Sequence, residues 1–294
     1  MTIGDIERSP ASELAAQHGL TPIGRQPSLV SYTASIWERR HFLLAFARSH
    51  LQADNSESRL GQLWQVLNPL LNAAVYYLVF GVIFESSKKI DHFLAFLVTG
   101  VFIFAFTQRT IQSGAKAITS NIGLVRALHF PRAVLPLATS LEEFLRTGTS
   151  LLVLALIVLG TGEPLGWSWL QMPVVIALQL VFSIGIAFVF ARLTAAVRDV
   201  AQFLPFAMRI WMYLSGVMYS VTTLTDKFGA NHEWAATLLT INPASIYIEL
   251  SRGALLADHP AAGWYWYAAV AWAVIAFVLG FIFFWRGENS YGRG

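Results

Sequence analysis

The chain has 294 residues, of which 55% are hydrophobic and 13% are charged, and its formal net charge at neutral pH is +3. A mean hydropathy of +0.55 is too apolar for a soluble domain of this size, so the composition excludes the ordinary soluble enzymes and predicts an integral membrane protein. Cysteine is absent, which excludes disulfides, thiolate nucleophiles and cysteine metal sites.

The N-terminal part of the chain divides into two regions by composition. Residues 1–34 are rich in Ser, Pro, Gly and Gln, and we expect a flexible cytoplasmic segment that is not a cleaved signal peptide. Residues 35–57 contain an apolar arc at helical spacing from Ser35 to Leu51, with Arg48 on the opposite face. This pattern predicts an amphipathic helix along the inner leaflet, with packing on a soluble partner as the alternative.

Residues 58–290 contain six apolar stretches, each close to the length of about 20 residues that crosses a bilayer as a helix. Their apolar runs do not alternate with polar residues, as the strands of a membrane β-barrel would, and this favours helices. The predicted fold is therefore an all-α membrane domain of six transmembrane helices. The spans are Val66–Phe84, Phe93–Ile111, Ala133–Gly160, Met172–Ala191, Val200–Val221 and Ala262–Trp285.

Most Lys and Arg residues fall on the side of the membrane that holds the N-terminus. Basic residues accumulate in cytoplasmic loops, so we expect a multi-pass protein of the plasma (inner) membrane with both termini in the cytoplasm. The two cytoplasmic loops contain Lys116 and Arg126 in the first and Arg198 and Asp199 in the second. Such loops are either topology signals that contact lipid headgroups or docking sites for a cytoplasmic protein.

The extracellular stretch 221–261 is long, and Pro243 within it disfavours helical geometry at Asn242. We therefore expect two short helices that meet at this pair. They either re-enter the membrane from outside or form a surface hairpin. A short polar helix is also expected at about Ala115–Leu124, in the first cytoplasmic loop.

Charged residues within spans are costly and therefore informative. Glu142 and Arg146 are four residues apart, a spacing at which they can pair on one helix face. The alternative is that they line a wet cavity through which a polar substrate passes. Glu143, Arg209 and Arg109 are the other charges of this kind.

Several kinds of enzymatic site are missing from the sequence. None of the lysines lies in a GxxxxGK[ST] phosphate loop, and the aspartates are not clustered for magnesium and pyrophosphate. The seven histidines are scattered without metal-ligand spacing, so we expect no metal site and no cofactor in this chain. A membrane glycosyl or acyl transferase is one functional hypothesis for an apolar chain, but the sequence lacks the sites that its chemistry needs.

Four stretches occur in an order that resembles one transporter family. "SRLGQLWQVLNPLLNAAVYYLVFGVIF" contains Ser58, Leu60, Gly61, Trp64 and Pro69 at the spacing of a first-span motif. "HFPRAVLPL", the pair Arg198–Asp199 and "INPASIYIELSRG" follow it in order. Together they resemble the Wzm-type permease subunits of ABC polysaccharide exporters, which include O-antigen, teichoic acid and actinobacterial cell-wall galactan exporters.

The resemblance implies a homodimer that works with two copies of a separate ATPase subunit, which would bind ATP and Mg²⁺. It implies export of a polyprenyl-diphosphate-linked glycan through a path built within membrane lipid, and no nucleic-acid partner. An ABC-type drug or lipid exporter of the same fold is the alternative.

The resemblance also implies roles for three groups of residues. ATPase coupling is assigned to Ser113, Lys116, Asn121, Leu124, Arg126, Arg198 and Asp199. An outer gate of paired re-entrant helices contains Asn242, Pro243 and Tyr247. For the substrate path or the lipid headgroup, the candidates are Arg39, Arg40, Arg48, Trp64, Glu142 and Arg146.

Overall fold

The computed structural model describes residues 28–57, 63–83, 92–128, 130–221 and 233–291, and this part of the chain is helical with irregular connections. The first-span residues Ser58, Leu60 and Gly61 lie outside it. The α-helices are α1 (Leu29–Glu38), α2 (Arg40–Glu57), α3 (Leu63–Tyr76), α4 (Phe93–Ser120), α5 (Ile122–Ala127), α6 (Val134–Gly160), α7 (Met172–Ala196), α8 (Val200–Tyr213), α9 (Glu233–Ile241), α10 (Pro243–Leu255) and α11 (Trp264–Arg286). A π-helical turn (Tyr77–Ile83) extends α3, and 3-10 turns lie at Trp167–Gln171 and Glu288–Ser290.

Five helical segments of the described chain are long and apolar enough to cross a membrane: Val66–Ile83, Phe93–Ser120, Val134–Gly160, Trp167–Ala196 and Trp264–Arg286. The fifth predicted span differs, because its helix α8 ends at Tyr213 after 14 residues. At 1.5 Å per residue this helix is roughly 21 Å long, short of the hydrocarbon core of about 30 Å. The chain then turns through Gly216, whose φ is +66°. Six spans therefore stay a prediction.

Helix α4 lies at the centre of the bundle and is buried over most of its length. It packs against α6 and α7, and α7 packs in turn against α11. Small residues allow this close packing, as is common between membrane helices. Gly114 of α4 faces Ala187 of α7, and the backbone at Gly185 of α7 contacts the backbone at Gly280 of α11.

The N-terminal boundary predicted at residue 35 is wrong, because α1 already begins at Leu29. Its Tyr32 is 2% exposed and donates a hydrogen bond of 2.6 Å to Glu288 Oε2 beyond the end of α11. The same hydroxyl accepts from the Ala133 amide at 3.1 Å. Burial raises the pKa of both the Tyr32 hydroxyl and the Glu288 carboxyl. Tyr32 thus anchors the start of α1 to the bundle, while the other residues from 28 to 34 are exposed.

The predicted amphipathic helix is divided at Arg39, whose amide donates to the carbonyls of Ile36 and Trp37 and ends α1. The second part, α2, packs against α6. Ala47 is fully buried there, and the Phe42 ring lies 5.9 Å from the Phe130 ring. One side of α2 therefore packs on the chain's own bundle, while Trp37 of α1 is 70% exposed and available to lipid.

The short helix predicted at about Ala115–Leu124 is wrong in its first half. Helix α4 continues to Ser120, and only then does the six-residue α5 begin. The small residues Gly114, Ala115 and Ala117 are buried, so α4 keeps its packing beyond the predicted end of the span at Ile111. Asn121 separates the two helices and donates from Nδ2 to the Ala117 carbonyl at 2.9 Å.

Candidate translocation site

A cleft of about 260 Å³ lies where α3, α4 and the end of α8 meet, and it is open on one side. Helix α8 contributes Met212, whose sulfur contacts the Tyr76 hydroxyl at 3.9 Å. Aromatic rings and a few convergent polar groups are the usual lining of a ligand pocket. The cleft is therefore the candidate functional site of the described chain.

Helix α3 presents four residues to this cleft at intervals of four: Trp64, Asn68, Asn72 and Tyr76. Residues at this spacing lie on one face of a helix, which explains how they reach one cleft together. Pro69 also lines the cleft and is tolerated within α3. Trp64, which was predicted for the substrate path, lines the cleft beside Asn68 and Asn72, which were not assigned to that path.

Helix α4 completes the polar part of the lining with Gln108 and Arg109. The Arg109 guanidinium forms an ion pair with α6, because its Nε lies 3.7 Å from Glu143 Oε2. Ser113 donates a hydrogen bond of 2.7 Å to the other oxygen of Glu143. Ser113 thus faces α6 inside the bundle, which corrects its predicted place on a coupling helix.

Glu142 and Arg146 form the pair that their spacing predicts, with Arg146 Nη2 donating to Glu142 Oε1. His50 of α2 lies with its Nδ1 3.8 Å from Glu142 Oε2. Neither Glu142 nor Arg146 lines the cleft. Through His50 the pair on α6 is linked to α2. The alternative, in which these two residues line a wet path, does not apply to this cleft.

The three arginines predicted for lipid headgroups, one between α1 and α2 and two in α2, also lie away from the cleft. Arg39, Arg40 and Arg48 are exposed. Arg40 stacks its guanidinium 5.5 Å from the Trp37 ring and donates to the Trp37 carbonyl at 3.2 Å. Their contact with lipid headgroups stays a prediction.

The remaining predicted coupling residues lie at the end of the bundle where α4 stops. Lys116 and Arg126 are exposed, while Asn121 and Leu124 are partly buried. Arg198 and Asp199 are exposed in the turn between α7 and α8, where the Asp199 carbonyl accepts the amides of α8. These exposed charges can meet a cytoplasmic partner, and their coupling role stays a prediction.

The outer-gate residues lie where α9 and α10 meet, as the position of Pro243 predicts. Asn242 Oδ1 accepts from the Ala244 amide at 3.1 Å and from Trp211 Nε1 at 2.9 Å. Its Nδ2 donates to the Leu214 carbonyl at 3.0 Å. Tyr247 is fully buried and donates to the Ala269 carbonyl at 2.9 Å, so it belongs to the core. Re-entry of the pair into the membrane stays a prediction.

Arg252 of α10 is the main residue that sequence reasoning missed. Its basic side chain suggests an exposed position in the extracellular stretch, yet it is 0% exposed and stacks over the Phe96 ring at 3.3 Å. It donates to the carbonyls of Gly216 and Val217 at 3.0 and 2.9 Å. Arg252 and Asn242 together thus bind the non-helical backbone after α8. Within a membrane, the N–H and C=O groups of such backbone need hydrogen-bond partners from the protein itself.

Comparison with known proteins places this architecture in a family. The family model described as "ABC-2 type transporter" matches residues 41–256. Among similar proteins, the O-antigen export system permease protein RfbA of Klebsiella pneumoniae is 28% identical over 209 residues, which cover 70% of this chain and 76% of that protein. The protein of the same name in Myxococcus xanthus is 24% identical over 231 residues, or 79% of this chain and 86% of its own length.

A third relative is named for a different cargo. The polysialic acid transport protein KpsM of Escherichia coli is 24% identical over 206 residues, which cover 70% of this chain and 77% of that protein. The family match covers more than half of the chain and includes the helices α3, α4 and α8 that form the cleft. This chain is a multi-pass inner-membrane protein and belongs to the ABC-2 type transporter family.

Proposed function

We propose that this chain is the permease subunit of an ATP-driven exporter that moves a polyprenyl-diphosphate-linked polysaccharide, cell-wall galactan, out of the cytoplasm. The observation that carries the proposal is the cleft lined by Trp64, Asn68, Asn72, Gln108 and Arg109. The names of the relatives, which denote O-antigen and polysialic acid transport, support a glycan cargo.

The chemistry of the cleft suits such a cargo. A bare hydroxyl costs roughly 2 to 7 kcal/mol when it leaves water for hydrocarbon without a partner, so a sugar chain needs a polar path. Amides both donate and accept hydrogen bonds and can therefore replace water at sugar hydroxyls. Trp64 and Tyr76 offer flat apolar faces for sugar rings, and Arg109 offers a cation for the diphosphate.

Two further parts of the proposal concern assembly. Because the cleft is open on one side, a second copy of the chain that faces it would complete a closed path. A separate ATPase subunit would bind ATP and Mg²⁺ and dock at α5 and the α7–α8 turn. Its closure would then move α4, which ends near that surface, and α8, which begins there, and both helices line the cleft.

We expect Gln108→Leu to lower glycan export about three- to tenfold, the effect of losing one hydrogen bond worth about 1 kcal/mol. Export is measured as surface glycan in cells depleted of the native chain and complemented with the variant. The matched control is Gln171→Leu, because Gln171 is exposed at the start of α7 and lies outside the cleft. Equal export by the two variants at equal expression would remove the cleft from the path.

The same cells distinguish the alternatives. A drug or lipid exporter predicts altered drug sensitivity with normal surface glycan. A membrane transferase predicts turnover of lipid-linked substrate by the purified chain without any ATPase. Loss of surface glycan, with accumulation of lipid-linked glycan inside the cell, supports export.

We expect Lys116→Glu combined with Arg126→Glu to reduce co-purification of the ATPase at least tenfold, because reversing two exposed charges replaces attraction by repulsion across the docking surface. Arg40→Glu combined with Arg286→Glu is the control, since both residues are exposed and the change in net charge is the same. Undiminished complex formation by the first pair would exclude these residues from the interface.

A further inference from the structure

Three residues from distant parts of the sequence meet at the end of the bundle opposite α5. His92 precedes α4, Glu163 follows α6, and Asp258 follows α10. One ligand atom of each, the imidazole nitrogen or a carboxylate oxygen, lies within 4.8 Å of the other two. The scattered sequence positions predicted no metal site, whereas the fold brings one imidazole and two carboxylates together.

We propose that His92, Glu163 and Asp258 bind a divalent transition-metal ion, with Zn²⁺ as the best match to one nitrogen and two oxygen ligands. A tetrahedral Zn²⁺ site with bonds of about 2.0 to 2.2 Å separates its ligands by roughly 3.4 Å. Small rotations of the side chains therefore close the observed separations. Three protein ligands would leave the fourth position to water.

The burial of Glu163 is the strongest argument for a bound cation. Glu163 is only 5% exposed, and the Asp258 carboxylate lies beside it. Two neighbouring carboxylates, one of them buried, repel each other and lose hydration, which a divalent cation compensates directly. The Ala257 amide donates to Glu163 Oε2 at 3.0 Å and so orients the carboxylate, as hydrogen bonds to metal ligands commonly do.

A second observation is independent of the cluster itself. The neighbouring His259 has a buried Nε2 without a hydrogen-bond partner in the described residues. Its ring lies 5.3 Å from the ring of Phe96, one helical turn along α4 from His92. A water molecule bound to the cation is a chemically suitable partner for this nitrogen.

Access and consequence follow from the position of the site. His92 and Asp258 are exposed, so an ion can enter from solution. A bound ion would join the start of α4, the loop after α6 and the loop after α10. It would thereby fix α10, which contains Arg252, against the rest of the bundle.

The test uses the full-length chain in detergent or nanodiscs, purified without a polyhistidine tag and stripped with a chelator. Zn²⁺ is titrated by calorimetry, and bound zinc is counted by elemental analysis. We expect one Zn²⁺ per chain and a rise in melting temperature on binding. Ca²⁺ and Mg²⁺ should bind at least tenfold more weakly, because one ligand is an imidazole.

The variants His92→Ala, Glu163→Gln and Asp258→Asn should each weaken Zn²⁺ binding at least tenfold. Asp258→Asn changes an exposed side chain, so it keeps the test valid if Glu163→Gln does not fold. The control is His41→Ala, because His41 is exposed on α2 at the other end of the bundle. Absence of zinc binding, or the same affinity in Asp258→Asn as in the unmodified chain, would overturn the proposal. Neither outcome depends on glycan transport.

Discussion

Replacing Gly280 with alanine should prevent α7 and α11 from packing and sharply reduce the yield of folded protein. A Cβ atom at position 280 would overlap the carbonyl oxygen of Gly185 and lie 2.8 Å from its carbonyl carbon. The obstacle is backbone, which cannot rotate away like a flexible side chain. We expect destabilisation at or above the upper end of the about 1–3 kcal/mol that overpacking costs. The measurement is thermal unfolding in detergent, together with the monodisperse yield.

Gly148→Ala in α6 is the matched control, since a Cβ atom there meets nothing within 4 Å. Alanine is intrinsically about 1 kcal/mol better than glycine in a helix interior, so this variant should be neutral or slightly more stable. Gly185→Ala should behave like Gly280→Ala, because its Cβ would lie 2.5 Å from the Phe277 amide nitrogen. The same melting temperature for Gly280→Ala and Gly148→Ala would contradict the observed packing of the two backbones.

Arg252→Met should be the most damaging substitution near the outer end. The guanidinium is fully buried and donates to three backbone carbonyls, those of Phe96, Gly216 and Val217, and to Glu249 Oε1 at 2.8 Å. Methionine fills similar space but leaves these acceptors without a donor and the carboxylate without its cation. Breaking a buried ion pair costs about 3–5 kcal/mol, and because the Glu249 side chain is 17% exposed we expect a loss near the lower end of that range.

Hydrogen exchange locates the predicted damage, because amide protection should fall first at residues 214–218, which include Gly216 and Val217, whose carbonyls accept hydrogen bonds from Arg252. Arg252→Lys should be intermediate, since an ammonium keeps the charge but cannot span the same set of carbonyls. The double variant Arg252→Met with Glu249→Gln should recover part of the loss by removing the uncompensated charge. Arg286→Met, at an exposed residue, is the control and should change stability by less than about 1 kcal/mol. Equal melting temperatures for Arg252→Met and this control would exclude the anchoring role.

The cleft was predictable only in part. Trp64 was assigned to the substrate path through a resemblance, whereas Asn68 and Asn72 were not, although their four-residue spacing from Trp64 and Tyr76 marks one helix face. That face was recognisable in the sequence as a polar stripe on an otherwise apolar span. Gln108 and Arg109 were harder to assign, because nothing in the order of residues shows which face of α4 meets α3.

Ser113 and Arg252 show why local patterns mislead in this chain. The polar end of the second span suggests a loop helix, but burial of Gly114 and Ala117 against the bundle continues α4 to Ser120. Arg252 lies in a stretch predicted to form short extracellular helices, yet its side chain binds the non-helical backbone after α8, which is remote in sequence. In both places a tertiary contact decided what the local sequence left open.

Composition and the length of the apolar runs determined that this protein is a helical membrane protein, because a bilayer requires about 20 apolar residues per helix and tolerates few charges. Proline at position 243 determined where α9 and α10 separate, since it constrains the residue before it. Tertiary structure alone decided which side chains meet: Tyr32 with Glu288, Arg109 with Glu143, and His92 with Glu163 and Asp258. Each of these contacts joins elements far apart in the chain, and such contacts depend on helix rotation and packing, which no local periodicity encodes.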